Sequence, residues 1–292
     1  MSELESFATY LELRESDAEG DVAAGLSHTA EGLVLFHVLE IAARGEPKGI
    51  VAVVHDAADH GGRYEGLAAL LAEEGYAVAL PDMRGHGKTE GARGHSAGRK
   101  EIVRDLDEVL QHLAYRLVGA PKTLIGVGRG ALQALALCAD RPGLVERLVL
   151  VAPELSPKQT LPEGKKGFLG KMLGKVSPDA EGSLGRSAQD ICADADAARA
   201  WSADDLVHDV VTLRAGEEFA RLAGEADSLL RGAGLTTLVQ LGGADAIGAT
   251  DWPAAREQAG VEVKAYPEGK HHLFHDAVRD EVIADLLAWL KA

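Results

Sequence analysis

The sequence has few cysteines and no long apolar run, and each shortage excludes a class of protein. Its 292 residues include only Cys138 and Cys192, too few for the disulfide framework of a small secreted domain. No apolar run reaches the roughly 18 residues that a membrane-spanning helix needs. The first five residues are acidic in character, unlike the basic start of a signal peptide. We therefore expect a cytoplasmic protein without a transmembrane segment.

Positive charge is also scarce. The chain carries 46 acidic and 30 basic residues, a formal net charge of −16. A protein that binds the phosphate backbone of nucleic acids needs a basic surface, so we expect no nucleic-acid partner. The hydrophobic share of 46% and the charged share of 26% are those of a globular protein, and the length suits one large domain.

Short apolar runs alternate with amphipathic ones through most of the chain. This order predicts an α/β fold with a mostly parallel sheet and helices on both faces. The predicted strands are 33–41, 49–55, 76–80, 123–127, 147–151, 235–241 and 261–266. The predicted helices are 64–74, 102–117, 131–139, 253–259 and 276–290.

The alternation stops between residues 154 and 233. This part is rich in Gly, Ser, Ala and Asp, with helical tendency and no convincing strand. We predict that residues 1–153 and 234–292 form the core, and that residues 154–233 are a helical lid inserted between two strands.

Several collinear motifs resemble one family. They read VVHDAADHGGRYEGLAALLAEEGYAVALPDMRGHGKTEG, GVGRGALQALALCADRPGLVERLVLVAPEL, LVQLGGADAI and YPEGKHHLFHD. Together they resemble the monoacylglycerol lipase and lysophospholipase branch (serine aminopeptidase S33 type) of the α/β-hydrolases. The resemblance implies an α/β-hydrolase fold and an ester hydrolase ancestry.

The sequence departs from that family at its most important positions. The family has Gly-His-Ser-Met-Gly at the strand-to-helix turn, whereas this chain has Gly126-Val127-Gly128-Arg129-Gly130. Glycine at the nucleophile position has no hydroxyl, so Gly128 cannot form an acyl-enzyme. The His-Gly of the oxyanion segment has become His55-Asp56.

The resemblance also assigns the remaining site residues. Asp245 matches the acid of the triad and His272 its general base, while Ala57 and Arg129 match the oxyanion-hole positions. His271, His272 and His275 could instead bind a metal, but no Cys or carboxylate partner spacing accompanies them. We therefore expect neither a metal nor another cofactor.

Two new charged residues flank the expected oxyanion hole. We predict that Asp56 and Arg129 form an ion pair that plugs it. The alternatives are that both side chains point to solvent, or that Arg129 holds an anionic ligand beside a helix N-terminus.

A second pattern competes for the role of nucleophile turn. Gly94-His95-Ser96-Ala97-Gly98 fits G-x-S-x-G, but Ser96 follows a glycine-rich loop instead of a strand. We therefore interpret Ser96 as a helix cap.

These features favour a catalytically degenerate protein that binds a lipid-like or ester ligand or a protein partner. One alternative is an active carboxylic-ester hydrolase that uses Ser96, or a water activated by His272 and Asp245. Another is a scaffold protein with a filled pocket.

One segment of the predicted lid could contact a membrane weakly. Residues 164–178 contain four lysines and no acidic residue, interspersed with apolar side chains. The alternative is a solvated loop, because four glycines in the same segment weaken any helix.

Overall fold

A computed structural model describes residues 10–13, 23–30, 34–96, 98–155 and 180–292. The strands are β1 (Tyr10–Leu13), β2 (Ala23–Ala30), β3 (Val34–Ile41), β4 (Gly49–Val54), β5 (Tyr76–Pro81), β6 (Lys122–Val127), β7 (Arg147–Val151), β8 (Glu181–Ser183), β9 (Val210–Thr212), β10 (Thr236–Gly242) and β11 (Val261–Tyr266). The helices are α1 (Glu65–Glu73), α2 (Arg99–Arg116), α3 (Gly130–Asp140), α4 (Ala188–Ile191), α5 (Ala195–Ala203), α6 (Leu213–Ala233) and α7 (Arg279–Lys291).

Nine strands form one sheet in the order β1-β2-β3-β5-β4-β6-β7-β10-β11. The strands from β5 to β11 in that order pair in parallel, whereas β1, β2 and β3 pair antiparallel at one end. The prediction of a mostly parallel sheet is therefore confirmed. The short strands β8 and β9 form a separate antiparallel pair.

Two apolar layers cover the sheet. Residues of α2, α3 and α6 pack on one face, and residues of α1 and α7 pack on the other. The central strands β4 and β6 are buried along almost their whole length, as their Val, Ile and Leu content predicts. The carboxyl ends of these parallel strands lie at one edge, where α/β proteins place their sites.

The structure differs from the sequence prediction in five elements. Strands β1 and β2 were not predicted, and neither were β8 and β9, which lie between residues 154 and 233. The predicted helix over 253–259 is only a 3₁₀ turn at Ala254–Arg256, which ends where Glu257 adopts an extended conformation.

Helix α6 was assigned to the predicted lid, but it packs with the sheet. Phe219, Leu222, Ala226 and Leu230 of α6 lie in the same apolar cluster as α2 and α3. The physical reason is its amphipathic spacing, which gives a helix of 21 residues one continuous apolar face. We therefore place α6 with the core.

The lid prediction otherwise stays a prediction. Residues 156–179, which include the lysine-rich segment, lie outside the described residues. None of the helices that the structure describes combines the length and apolar character needed to cross a membrane.

Candidate active site

The turn between β6 and α3 holds the first site residue. Gly128 follows the strand directly and has φ of +55°, a left-handed conformation that disfavours side chains. Its N–H donates to the carbonyl of Val151 at 2.9 Å, which ties the turn to β7. A Cβ atom added to Gly128 would overlap the carboxylate of Asp56. The Asp56 side chain therefore occupies the space that a side chain at position 128 would need.

The Asp56 carboxylate binds two backbone N–H groups. Its Oδ1 accepts from the N–H of Ala57 at 2.7 Å and from the N–H of Arg129 at 2.8 Å. The side chain of Asp56 is fully buried. The two positions that the family resemblance gives as oxyanion-hole donors thus converge on one oxygen, and that oxygen belongs to the protein itself.

The predicted ion pair between Asp56 and Arg129 is wrong. The Arg129 guanidinium lies near the ring of Phe219 and its Nε donates to Glu154 Oε2 at 3.0 Å. The partner of Asp56 is Arg186, whose guanidinium bonds both Asp56 Oδ2 and Glu154 Oε1. The backbone N–H of Arg129 contacts Asp56, while the Nε of its side chain reaches Glu154 after β7.

Arg186 is held in place by the start of a short helix. The Ser187 side chain accepts from the N–H of Asp190, and the Asp190 carboxylate accepts from the N–H of Ser187. This reciprocal cap fixes the backbone next to Arg186. The sequence carries no motif that marks Arg186, because its partners come from two distant parts of the chain, Asp56-Ala57 and Glu154.

The histidine that pairs with Asp245 is His271, so the assignment of His272 is wrong. His271 Nδ1 lies 2.9 Å from Asp245 Oδ2, and its Nε2 lies 3.0 Å from Asp56 Oδ2. Asp245 also accepts from the N–H groups of Ile247 and Gly248, which orients the carboxylate.

His272 stacks on His271 but has other neighbours. Its Nε2 lies 3.4 Å from Asp56 Oδ2, and its Nδ1 lies 3.8 Å from Asp59 Oδ2. Its N–H donates to the carbonyl of Ile191, which turns the ring away from Asp245. Two adjacent histidines in one loop match the same motif, so only the three-dimensional structure distinguishes them.

We call Asp56, Glu154, Asp245, Arg129, Arg186 and His271 the buried charge cluster. Burial alone would raise the pKa of Asp56, but Arg186 and His271 hold it well below its usual value. The pKa of Glu154 is lowered in the same way by Arg186 and Arg129, and that of Asp245 by His271.

The contacts that lower the pKa values of these carboxylates raise the pKa of His271. Burial would lower the pKa of His271, but Asp245 and Asp56 raise it well above its ordinary value. Both ring nitrogens of His271 face carboxylates, so both carry protons and the ring is an imidazolium. Three carboxylates, two guanidinium groups and one imidazolium then balance in charge.

One subset of these side chains resembles a metal site. Asp56, His271 and His272 offer three ligand atoms within 4.8 Å of one another, a donor set that suits zinc. The carboxylate partners that the sequence spacing did not reveal are therefore present in space. However, Arg186 bonds the same Asp56 oxygen, so a guanidinium cation stands where a metal ion would bind.

The structure keeps Ser96 apart from this arrangement. Ser96 is buried beside a cavity of about 20 Å³ that Met83, His86 and Phe219 also line. Within residues 34–96, 98–155 and 180–292, no hydrogen bond joins Ser96 to a histidine.

Most of the chain matches one known protein family. Residues 45–277 match the sequence model of the family described as serine aminopeptidase, S33 (Hydrolase_4). Human monoglyceride lipase is 32% identical over 135 residues, 46% of this chain and 45% of that protein. The monoacylglycerol lipase of Mycolicibacterium smegmatis is 30% identical over 136 residues, 46% of this chain and 47% of that protein. The matched part thus spans about half the length of these curated relatives.

Solved structures resemble the chain over nearly its full length. The monoacylglycerol lipase of Paleococcus ferrophilus superposes with a TM-score of 0.75 and 25% identity, over 87% of this chain and 98% of that one. A soluble variant of monoglyceride lipase from Saccharomyces cerevisiae, in complex with a substrate analogue, gives 0.77 at 17% identity, over 90% and 93%. These similarities confirm the predicted α/β-hydrolase fold.

Proposed function

Because the chain belongs to the serine aminopeptidase S33 family of α/β-hydrolases, we propose that it is a monoglyceride lipase-like member that has lost hydrolysis and keeps its former catalytic centre as a filled, structural core. The observation that carries this proposal is the position of Asp56. Its carboxylate bonds the N–H groups of Ala57 and Arg129 and fills the space beside Gly128. Of the functions that the sequence left open, this supports the scaffold with a filled pocket.

Each step of ester hydrolysis lacks a group that it needs. Gly128 has no hydroxyl to attack a carbonyl carbon. The negative charge of Asp56 lies where an oxyanion would have to form, and it would repel that charge. His271 is held as an imidazolium by Asp245 and Asp56, whereas a general base must be neutral.

The alternatives from the sequence have less support. A water activated by His272 would need the contact with Asp245 that His271 makes instead. An anionic ligand at Arg129 would have to compete with Glu154, which already binds that guanidinium. The relatives named monoglyceride lipases favour a lipid-like ligand as a second candidate, bound outside the buried charge cluster.

The test combines a fluorophosphonate probe with a monoacylglycerol hydrolysis assay. We expect no labelling and no hydrolysis for the natural chain or for Gly128→Ser, whose new side chain meets the Asp56 carboxylate. We expect labelling of the double variant Asp56→Gly/Gly128→Ser, in which the space is cleared and the hydroxyl is present.

Two further variants make the result decisive. Hydrolysis by the natural chain that disappears in His271→Ala or in Ser96→Ala would overturn the proposal. Thermal unfolding of every variant shows whether it is folded, and native mass spectrometry with a monoacylglycerol tests the second candidate separately.

A further inference from the structure

Strand β11 forms one end of the nine-stranded sheet. It pairs in parallel with β10 from Thr237↔Val261 to Gly242↔Tyr266. Its other side faces no strand in the part of the chain that the structure describes. An uncovered sheet edge is a template for another strand, and natural proteins control what pairs there.

The backbone of β11 shows which groups are available at this edge. The N–H of Thr237 donates to the carbonyl of Gly260, and the N–H of Gly243 donates to that of Tyr266. The even-numbered residues therefore direct their backbone groups to β10, and the odd-numbered ones direct theirs outward. The backbone N–H and carbonyl groups of Val263 and Ala265 have no partner among the described residues, whereas the N–H of Val261 donates to the carbonyl of Gln258.

The side chains on either side of Val263 in β11 carry opposite charges. Val263 is flanked by Glu262 on one side and Lys264 on the other, and both charged residues share one face of the strand. If two copies of β11 pair antiparallel around Val263, the outward groups of Val261, Val263 and Ala265 meet each other. In the same register Glu262 lies opposite the partner's Lys264, and Lys264 lies opposite the partner's Glu262.

Neighbouring registers are excluded by charge. Shifting the pairing to the next positions that keep the backbone bonds places Glu262 opposite the partner's Glu262, or Lys264 opposite the partner's Lys264. Like charges directly opposite each other destabilise an antiparallel pair. We propose that this chain forms a two-fold symmetric dimer through β11, with the two sheets joined into one.

Apolar surface beside the strand supports the same partner. Three large hydrophobic side chains are exposed among the described residues, and Val263 is one of them at 38%. Val263 lines an open groove of about 500 Å³ together with Val261 and Trp252. A two-fold axis at Val263 brings the two valines together and places the partner's edge over this groove, as an isologous interface requires.

The experiment uses charge reversal of the full chain in sedimentation velocity. The natural chain, of 30.7 kDa, should sediment as a particle of twice that mass at micromolar concentration. Glu262→Lys alone and Lys264→Glu alone place like charges across the axis, so each should raise the dissociation constant by about ten-fold or more. A mixture of these two variants should recover the dimer, because every crossed pair is then opposite in charge.

The control is Val118→Lys, at another exposed apolar side chain far from β11 in the sheet order. It should leave the dimer unchanged, whereas Val263→Lys should weaken it. Far-ultraviolet circular dichroism confirms that each variant is folded. A natural chain that is monomeric at all concentrations up to about 200 μM, and whose dimer dissociation constant therefore lies well above that concentration, would overturn the proposal. So would charge variants that dimerise as strongly alone as in the mixture.

Discussion

Asp56 is bound on all sides by groups that carry positive charge or donate hydrogen bonds. One oxygen accepts from two backbone N–H groups, and the other contacts Arg186 and His271. A buried ion pair contributes little by itself, because both charges lose their hydration. Removing one partner is different, since the remaining charges stay buried without compensation.

We therefore predict that Asp56→Asn lowers the free energy of unfolding by about 3 to 5 kcal/mol. Urea denaturation of the natural chain and the variant measures this loss. The matched control is Asp196→Asn, which breaks the exposed ion pair with Arg199 and should cost less than about 1 kcal/mol. Equal losses in the two variants would mean that the buried charge cluster does not stabilise the fold.

At the scale of single residues, sequence reasoning located the site but not its contacts. The motif departures singled out Asp56 and Gly128, and a motif match singled out Asp245; in the structure Asp56 lies against Gly128, and His271 contacts both Asp56 and Asp245. Glu154 lies three residues after the end of β7, so its place near a strand end was a signal that could have been used. The roles of Arg186 and His271 were missed, because side-chain directions in loops depend on packing that a motif does not encode.

Among the elements, α6 shows how a boundary can shift. The change in composition at residue 154 marks where the sheet pattern stops, but it does not mark which later helix returns to the core. The sequence did not predict strands β1 and β2. For β2 the reason is that its sequence, AAGLSHTA, is rich in small residues with low strand propensity.

The packing of α6 gives the second prediction. Leu222 is completely buried in the apolar cluster shared with α2 and α3. Leu222→Ala should lower the global free energy of unfolding by about 2 to 5 kcal/mol, in a single transition. A separate early transition in chemical denaturation, with the main one unchanged, would instead show that α6 unfolds with a lid.

Arg186 lies in the segment between β8 and α4 and is the cation that bonds Asp56 Oδ2. Arg186→Ala removes that cation and leaves Asp56, His271 and His272 with their ligand atoms close together. We predict that Zn²⁺ raises the thermal unfolding temperature of Arg186→Ala but not that of the natural chain. When the free Zn²⁺ concentration is 100 times its dissociation constant, the free energy of unfolding should rise by about 2.7 kcal/mol. A chelator should reverse it.

The control for zinc binding is the double variant Arg186→Ala/His271→Ala. It lacks one of the three ligand atoms and should show little response to Zn²⁺. An equal response of the double variant would place the bound ion elsewhere.

At the scale of the whole molecule, histidines whose pKa values shift in opposite directions affect how stability depends on pH. Burial lowers the pKa of His208 and of His275 to about 4, so these rings are neutral when folded. In the unfolded chain they take up protons below about pH 6.5, and stability is lost as the pH falls through that range toward 4. His271 has a raised pKa, so its contribution is complete below about pH 6.5 and is lost as the pH rises toward its folded value.

We therefore predict a maximum of stability near neutral pH. The free energy of unfolding should fall on the alkaline side by at most about 1.4 kcal/mol per pH unit for this one proton. His271→Gln should remove the alkaline fall and keep the acid one, as measured by urea denaturation from pH 5 to pH 9. An alkaline slope that is the same in His271→Gln would show that His271 is neutral in the folded chain.

Under the proposed loss of hydrolysis, the overlap between Asp56 and any side chain at position 128 would make that loss hard to reverse. With Asp56 present, a serine regained at position 128 meets an occupied space and a site of the wrong charge. With Gly128 present, removing Asp56 leaves the buried cations Arg186 and His271 with one carboxylate partner fewer. Under the same proposal, each single reversal would cost stability without restoring activity, so both changes would be retained together.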